Sequence, residues 1–65
     1  MTEGDRLLTV REVAERTRLS RATIYKMVRA GEFPQQVQIG ANKVAWLRSE
    51  VEGWIQSRAD ARVAG

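Results

Sequence analysis

Only three residues, Arg18, Leu19 and Ser20, separate two segments that each read as an amphipathic helix. That brevity constrains the chain more than any other feature, because a connection so short permits nothing but a tight turn between two helices that share one core. The first segment opens on Thr9, three residues before Glu12, the Thr-x-x-Glu spacing of a capping box. There the hydroxyl and the carboxylate each satisfy a free backbone N–H at the helix start. Leu8 and Val13 stand where a hydrophobic staple needs them, and Val10, Val13 and Ala14 share one face, so the spacing predicts a helix over 10–17. Ser20 is a good N-cap for the second helix, and Leu19 with Ile24 repeats the staple. Winding onward at about 100° per residue gathers Ile24, Met27 and Val28 on one stripe. Ala22, Lys26 and Arg29 take the opposite stripe, flanked by Thr23 and Tyr25. Gly31 sits where a left-handed residue closes a helix and Pro34 forbids continuation, giving a second helix over 21–30.

After Pro34 the period changes from helical to two. Gln36-Val37-Gln38-Ile39 alternates polar and apolar and reads as a half-buried strand. Gly40-Ala41-Asn42-Lys43 supplies residues that tolerate positive φ, and Val44-Ala45-Trp46-Leu47 returns as a second strand. Ser49 and Glu52 repeat the capping-box spacing ahead of Val51, Trp54 and Ile55, which predicts a third helix over 50–58, weakened by Gly53. The expected fold is mainly α with a small β-hairpin, a winged helix-turn-helix in the order helix, helix, hairpin, helix. Residues 1–6 read as a loose arm, 7–58 as the domain and 59–65 as a frayed tail. Val13, Leu19, Ile24, Val28, Trp54 and Ile55 are expected in one core.

Charge is segregated along the chain. The 65 residues carry 11 Lys and Arg against 8 Asp and Glu, a net +3. Arg16, Arg18, Arg21, Lys26, Arg29, Lys43 and Arg48 face one acid, Glu32, between positions 16 and 48; that stretch holds +6 and the remainder −3. A polyanionic partner follows, either nucleic acid or an acidic protein surface. The same composition weighs against catalysis. Without His or Cys there is no imidazole base, thiolate or N/S zinc site. The carboxylate pairs Glu12 with Glu15 and Glu50 with Glu52 suit helix starts, where acids complement the macrodipole. No Gly-rich phosphate loop or metal-ligand spacing is present, so no enzyme, cofactor or metal is expected. No apolar run approaches the roughly 20 residues of a membrane span, and a cytoplasmic protein is the expectation.

A helix-turn-helix makes a specific demand of its second helix. One stripe must enter the core while the other enters the major groove, so exposed residues near the N-terminus must be small or able to hydrogen-bond. Ser20, Ala22 and Thr23 meet that demand, and Arg18, Arg21, Tyr25, Lys26 and Arg29 surround them with donors for phosphates or base edges. Arg21 stands beside base edges, although the first helical position also points toward the backbone. Tyr25 is suited equally to packing and to a phosphate contact. The hairpin is the place for a wing, with Asn42 and Lys43 at its tip facing the backbone or the minor groove, although Asn42 alone is also an ordinary turn residue. A plain helical hairpin with a solvated basic face is the bland alternative, and the agreement of caps, turn and hairpin weighs against it.

The stretch LLTVREVAERTRLSRATIYKMVRAGEFPQQVQIGANKVAWLRSEVEGWI, from Leu7 to Ile55, resembles the AlpA family of prophage regulators, which group with MerR-type and excisionase-type winged helix-turn-helix proteins. The most specific pieces are LSRATIYKMVRAGEFP, the V-x-I-G strand ending, VAW and SEVEGWI, in that order and spacing. The resemblance implies DNA binding through Ser20 to Lys26 and an Asn42–Lys43 wing. It also implies a role as transcription activator, antiterminator or recombination directionality factor, with double-stranded DNA as partner and RNA polymerase or a recombinase beside it. Leu47 departs from the family pattern, which leads one to expect a charged residue after VAW.

The two tryptophans read differently. Trp54, spaced with Val51 and Ile55, belongs to the core; Trp46 stays open between core and base stacking. A competing function class is a protein-interaction module that docks on an acidic transcription factor or polymerase surface. No heptads follow Ile55 to build a MerR-type coiled coil, so the expectation is a monomer in solution that binds adjacent sites cooperatively.

Overall fold

The structure, a computed structural model, describes residues 6–61. The expected arm, apart from Arg6, and the last four residues of the expected tail lie outside the described residues. Element order is β1 (Leu7–Leu8), α1 (Val10–Thr17), α2 (Arg21–Arg29), β2 (Val37–Gly40), β3 (Lys43–Leu47) and α3 (Arg48–Ala61). This is a winged helix-turn-helix. α1 begins as its sequence predicts: the Thr9 Oγ1 accepts from the Glu12 N–H at 3.1 Å, and the Glu12 carboxylate accepts from the Thr9 N–H at 2.9 Å. The turn after it is built by Thr17, whose hydroxyl donates to the Val13 carbonyl at 2.8 Å and accepts from the Leu19 N–H at 3.3 Å. Arg18 closes α1 in the left-handed region, at φ 64° and ψ 24°. α2 ends in a Schellman arrangement. The Gly31 N–H (φ 75°) bonds to the Val28 carbonyl at 3.1 Å and the Glu32 N–H to the Met27 carbonyl at 2.8 Å.

The two-residue strand β1 is absent from the sequence reading, because so short an alternation carries no period of its own. It pairs antiparallel with β3, Leu7 opposite Leu47 and Leu8 opposite Trp46, so the sheet order is β1-β3-β2. The Arg48 N–H continues that ladder to the Arg6 carbonyl at 2.7 Å. Leu8 is therefore both the staple ahead of α1 and a core residue of the sheet.

The core is Leu8, Val13, Ile24, Val28, Phe33, Trp46 and Val51, with Leu19, Trp54 and Ile55 half-buried against it. The tryptophans have exchanged rank. Trp46 is wholly buried at the centre, its ring 6.0 Å from Tyr25 and 6.4 Å from Phe33, and its Nε1 donates to the Pro34 carbonyl at 2.8 Å. Base stacking by Trp46 is thereby excluded in this conformation. Trp54 lies at the core edge, 4.7 Å from Phe33, beneath the Arg58 guanidinium, with its Nε1 donating to the Glu32 carbonyl at 2.9 Å. Phe33, flanked by Glu32 and Pro34 outside any periodic run, gave no sequence signal as a core residue; the two tryptophans hold it there.

Three local expectations are corrected. The strand read as half-buried over Gln36 to Ile39 is exposed along β2, since β2 is the outer strand and the helices cover β3 instead. The hairpin turn does not use positive φ; among the described residues only Arg18 and Gly31 do. Gln38 ties the turn down, its Nε2 donating to the Gly40 and Ala41 carbonyls at 3.2 and 3.4 Å. α3 starts at Arg48, directly from β3, which places Ser49 inside its first turn rather than at its N-cap. Glu52 pairs with Arg16 of α1. The helix also runs to Ala61, three residues beyond the expected end, with Gln56 donating to Asp60 at 3.0 Å along its last turns. Among the described residues no helix is long and apolar enough to cross a membrane.

Candidate nucleic-acid interface

Ser20 fixes the start of α2. Its Oγ accepts from the Thr23 N–H at 3.1 Å and donates to the Thr23 Oγ1 at 2.9 Å. The Ser20 hydroxyl is thus occupied within the chain, while the Thr23 hydroxyl keeps its own proton to donate outward. No acid lies in the first turn of α2, so the positive end of its dipole is not offset there. Arg21, Ala22, Lys26 and Arg29 are exposed, and Ile24 and Val28 are buried behind them. Ala22, Lys26 and Arg29 follow one another at four- and three-residue steps, which keeps them on one outward stripe.

Two concavities relate the remaining residues. Arg18 and Ser20 line one with Ala14, Glu15 and Leu19, at the helix–turn junction. Tyr25, Asn42 and Lys43 line another, with Thr9, Val10, Ile39 and Val44, between α2 and the hairpin. The hairpin therefore stands beside the second helix as a wing should, and Tyr25 joins the two. The Tyr25 ring packs on Trp46 while its hydroxyl makes no hydrogen bond within the described residues. Packing and an outward contact are compatible for this residue. The Asn42 side chain is not spent on the turn, because Gln38 does that work. Arg29 lines neither concavity; its place rests on the helical stripe alone.

The basic stretch divides in space. Arg16 is paired with Glu52, and Arg16 and Arg48 line a separate concavity with Arg6, Glu12 and Glu15, where both signs are mixed. Arg18, Arg21, Lys26, Arg29 and Lys43 form no ion pair among the described residues and are exposed. Five of the seven basic side chains thus remain as uncompensated charge on α2, its leading turn and the wing. Ile39, Thr9 and Val10 share the α2–wing cleft without any sequence signal for it. Ile39 in particular read as inward-facing, and a bulge in the hairpin register is what places it in the cleft.

Comparison with known proteins agrees with this architecture. The family model described as prophage CP4-57 regulatory protein (AlpA) matches residues 6–59. The chain is 49% identical over 61 residues to the uncharacterized protein ORF88 of Enterobacteria phage P4, covering 94% of this chain and 69% of that protein. It is 29% identical over 59 residues to the DNA-binding transcriptional activator AlpA of Escherichia coli K12, covering 82% of this chain and 84% of the activator. The match spans every element from β1 into α3, including the turn, the second helix and the wing, and the chain belongs to the AlpA family of prophage regulatory proteins.

Proposed function

We propose that this chain is a sequence-specific double-stranded DNA-binding regulator of prophage-type genes. α2 enters the major groove with Ala22, Thr23, Arg21 and Lys26 at base edges, and Ser20, through its bond to Thr23, fixes their register. Arg18, Arg29, Tyr25, Asn42 and Lys43 take the sugar–phosphate backbone or the minor groove. The observation that carries this reading is the outer stripe of α2: small and cationic, free of acids in its first turn, with five unpaired cations on it or beside it. Transcription activation is the mode we carry forward over antitermination and excision, since the Escherichia coli relative is named an activator. Such a regulator works as a cytoplasmic monomer that loads onto adjacent sites and presents itself to RNA polymerase.

A salt titration by fluorescence anisotropy tests it, using a duplex that the protein itself selects from a random pool. If the five unpaired cations neutralise phosphates, log K falls against log salt with a slope of about −4 to −5. The same titration separates reading from positioning. Lys43→Ala is expected to weaken selected and random duplexes alike and to lower the slope by about one unit, whereas Arg21→Ala narrows the gap between the two DNAs. A slope near zero, with tight binding to an acidic protein surface instead, overturns DNA as the main partner.

A further inference from the structure

The cleft between α2 and the wing has an unusual lining for a surface that meets a polyanion. Its lining is mostly apolar, from Ile39, Val44, Val10 and the Tyr25 side chain, joined by Thr9, Asn42 and Lys43. Ile39 is 49% exposed, more than Leu7 or Val37, the other large apolar side chains left open among the described residues. The register explains why it is there. Gln38 opposes Val44 and Gly40 opposes Lys43, so Ile39 is an extra residue on β2 with no partner on β3. A bulge of this kind re-aims one side chain and increases the local twist. Here it turns Ile39 into the cleft beside Tyr25, where a strictly alternating strand would have left it on the sheet face.

A lone exposed isoleucine needs no explanation. This one lies in a concavity, beside a tyrosine hydroxyl without an intramolecular partner and a lysine without an ion pair. An apolar lining with a cation beside it suits a chain whose apolar and anionic units alternate. A sugar–phosphate strand is such a chain: each deoxyribose presents a hydrocarbon face, and each phosphate a charge. The net charge argues for the same occupant, since no acidic side chain lines this cleft, whereas Glu15 and Glu12 line the other two described above. We propose that one strand of the duplex is seated in this cleft through its sugars, with Ile39 and Val44 packed on deoxyribose faces and with Lys43, Asn42 and the Tyr25 hydroxyl on the adjoining phosphates. Ile39 is thereby a positioning residue that sets how closely the wing approaches the backbone. This rests on the reading of α2 and the wing as a DNA interface.

The test uses the full chain and a pool of short random-sequence duplexes, with binding followed by fluorescence anisotropy across a salt series. Ile39→Ser is expected to weaken binding about fivefold to tenfold, the loss of one buried aliphatic contact, with the salt slope unchanged because no charge is removed. Ile39→Leu restores most of the affinity. Lys43→Ala, by contrast, is expected to flatten the slope. Thermal melting of each variant controls for folding, and the half-exposed position predicts only a small change. A second readout does not depend on any variant. Ile24, Ile39 and Ile55 are the three isoleucines of the sequence, so isoleucine-methyl NMR resolves each one. On adding duplex, the Ile39 methyl is expected to shift and to show contacts to sugar protons, while the buried Ile24 stays put. An Ile39→Ser variant that binds as the parent does, or an Ile39 methyl unmoved while α2 amides shift, overturns the seating of the strand and leaves the DNA reading standing. A parent protein that fails to bind any duplex overturns both.

Discussion

α1 and α2 are helices of nearly equal length that bury one stripe each in the same core, yet they begin in opposite ways. At α1 the cap is closed reciprocally, Thr9 to the Glu12 N–H and the Glu12 carboxylate back to the Thr9 N–H. At α2 the third helical position is Thr23 rather than an acid, and its hydroxyl turns to Ser20 instead of returning to the cap backbone. The first start uses its polar groups on itself, and α1 is a structural support whose acid at the N-terminus offsets the dipole. The second leaves that dipole and its neighbouring cations uncompensated. A helix start that gives up stability in this way is suited to an external anion, which supplies what the sequence omits.

The largest expected effect tests whether the inner face of α2 is as structural as that of α1. Ile24 is fully buried, and Ile24→Ala is expected to cost about 2–5 kcal/mol, a large share of what a domain this size has. Circular dichroism melting that leaves this variant like the parent would refute the helix phase. Next comes the open start itself. Thr23→Glu installs the missing half of the capping box and is expected to raise the melting temperature, while a carboxylate at the groove lowers DNA affinity by at least about tenfold. Improved stability with undiminished binding would show that α2 does not present this end to DNA. Glu12→Ala at the closed start reverses the stability effect and spares binding: about 1 kcal/mol of stability is expected to go, with the affinity of the folded protein unchanged.

The smallest expected effect concerns the junction between the helices. Arg18 holds a left-handed backbone that glycine adopts without strain, a relief of roughly 1–2 kcal/mol set against the roughly 0.5–1 kcal/mol that glycine loses to a freer unfolded chain. Arg18→Gly is therefore expected to melt a few degrees higher. It is also expected to bind DNA more weakly and with a shallower salt slope. That opposition is the signature of a side chain kept for its charge at a backbone position that disfavours it. Loss of stability in Arg18→Gly would show that the arginine side chain supports the turn instead.

How far the interface could be read in advance differs residue by residue. Ser20, Ala22, Lys26 and Arg29 were placed by helical spacing from a cap whose chemistry is local, and the structure has them on the exposed side of α2. Ile39 was not legible, because alternation assumes an unbroken register and a bulge reveals itself only against the partner strand. The division of the basic stretch was equally hidden. Nothing local distinguishes Arg16 from Arg18, and Glu52, which pairs with Arg16, is 36 residues away.

By itself the sequence determined the two helices, their caps and the turn between them, since each depends on residues within four or five positions whose hydrogen bonds close locally. α1 spans Val10–Thr17 as the capping box and periodicity require, and the Gly31 stop falls where its positive φ is needed. Tertiary structure alone decided which tryptophan is central, that Leu7 and Leu8 form a strand, that α3 grows directly out of β3, and that Ile39 turns outward. Most of those depend on a partner far along the chain: Leu8 faces Trp46, Trp46 bonds to Pro34, and Glu52 takes Arg16. Short-range hydrogen bonding carries its own sequence signature, whereas burial is a property of what arrives from elsewhere, and no pattern within one segment records it.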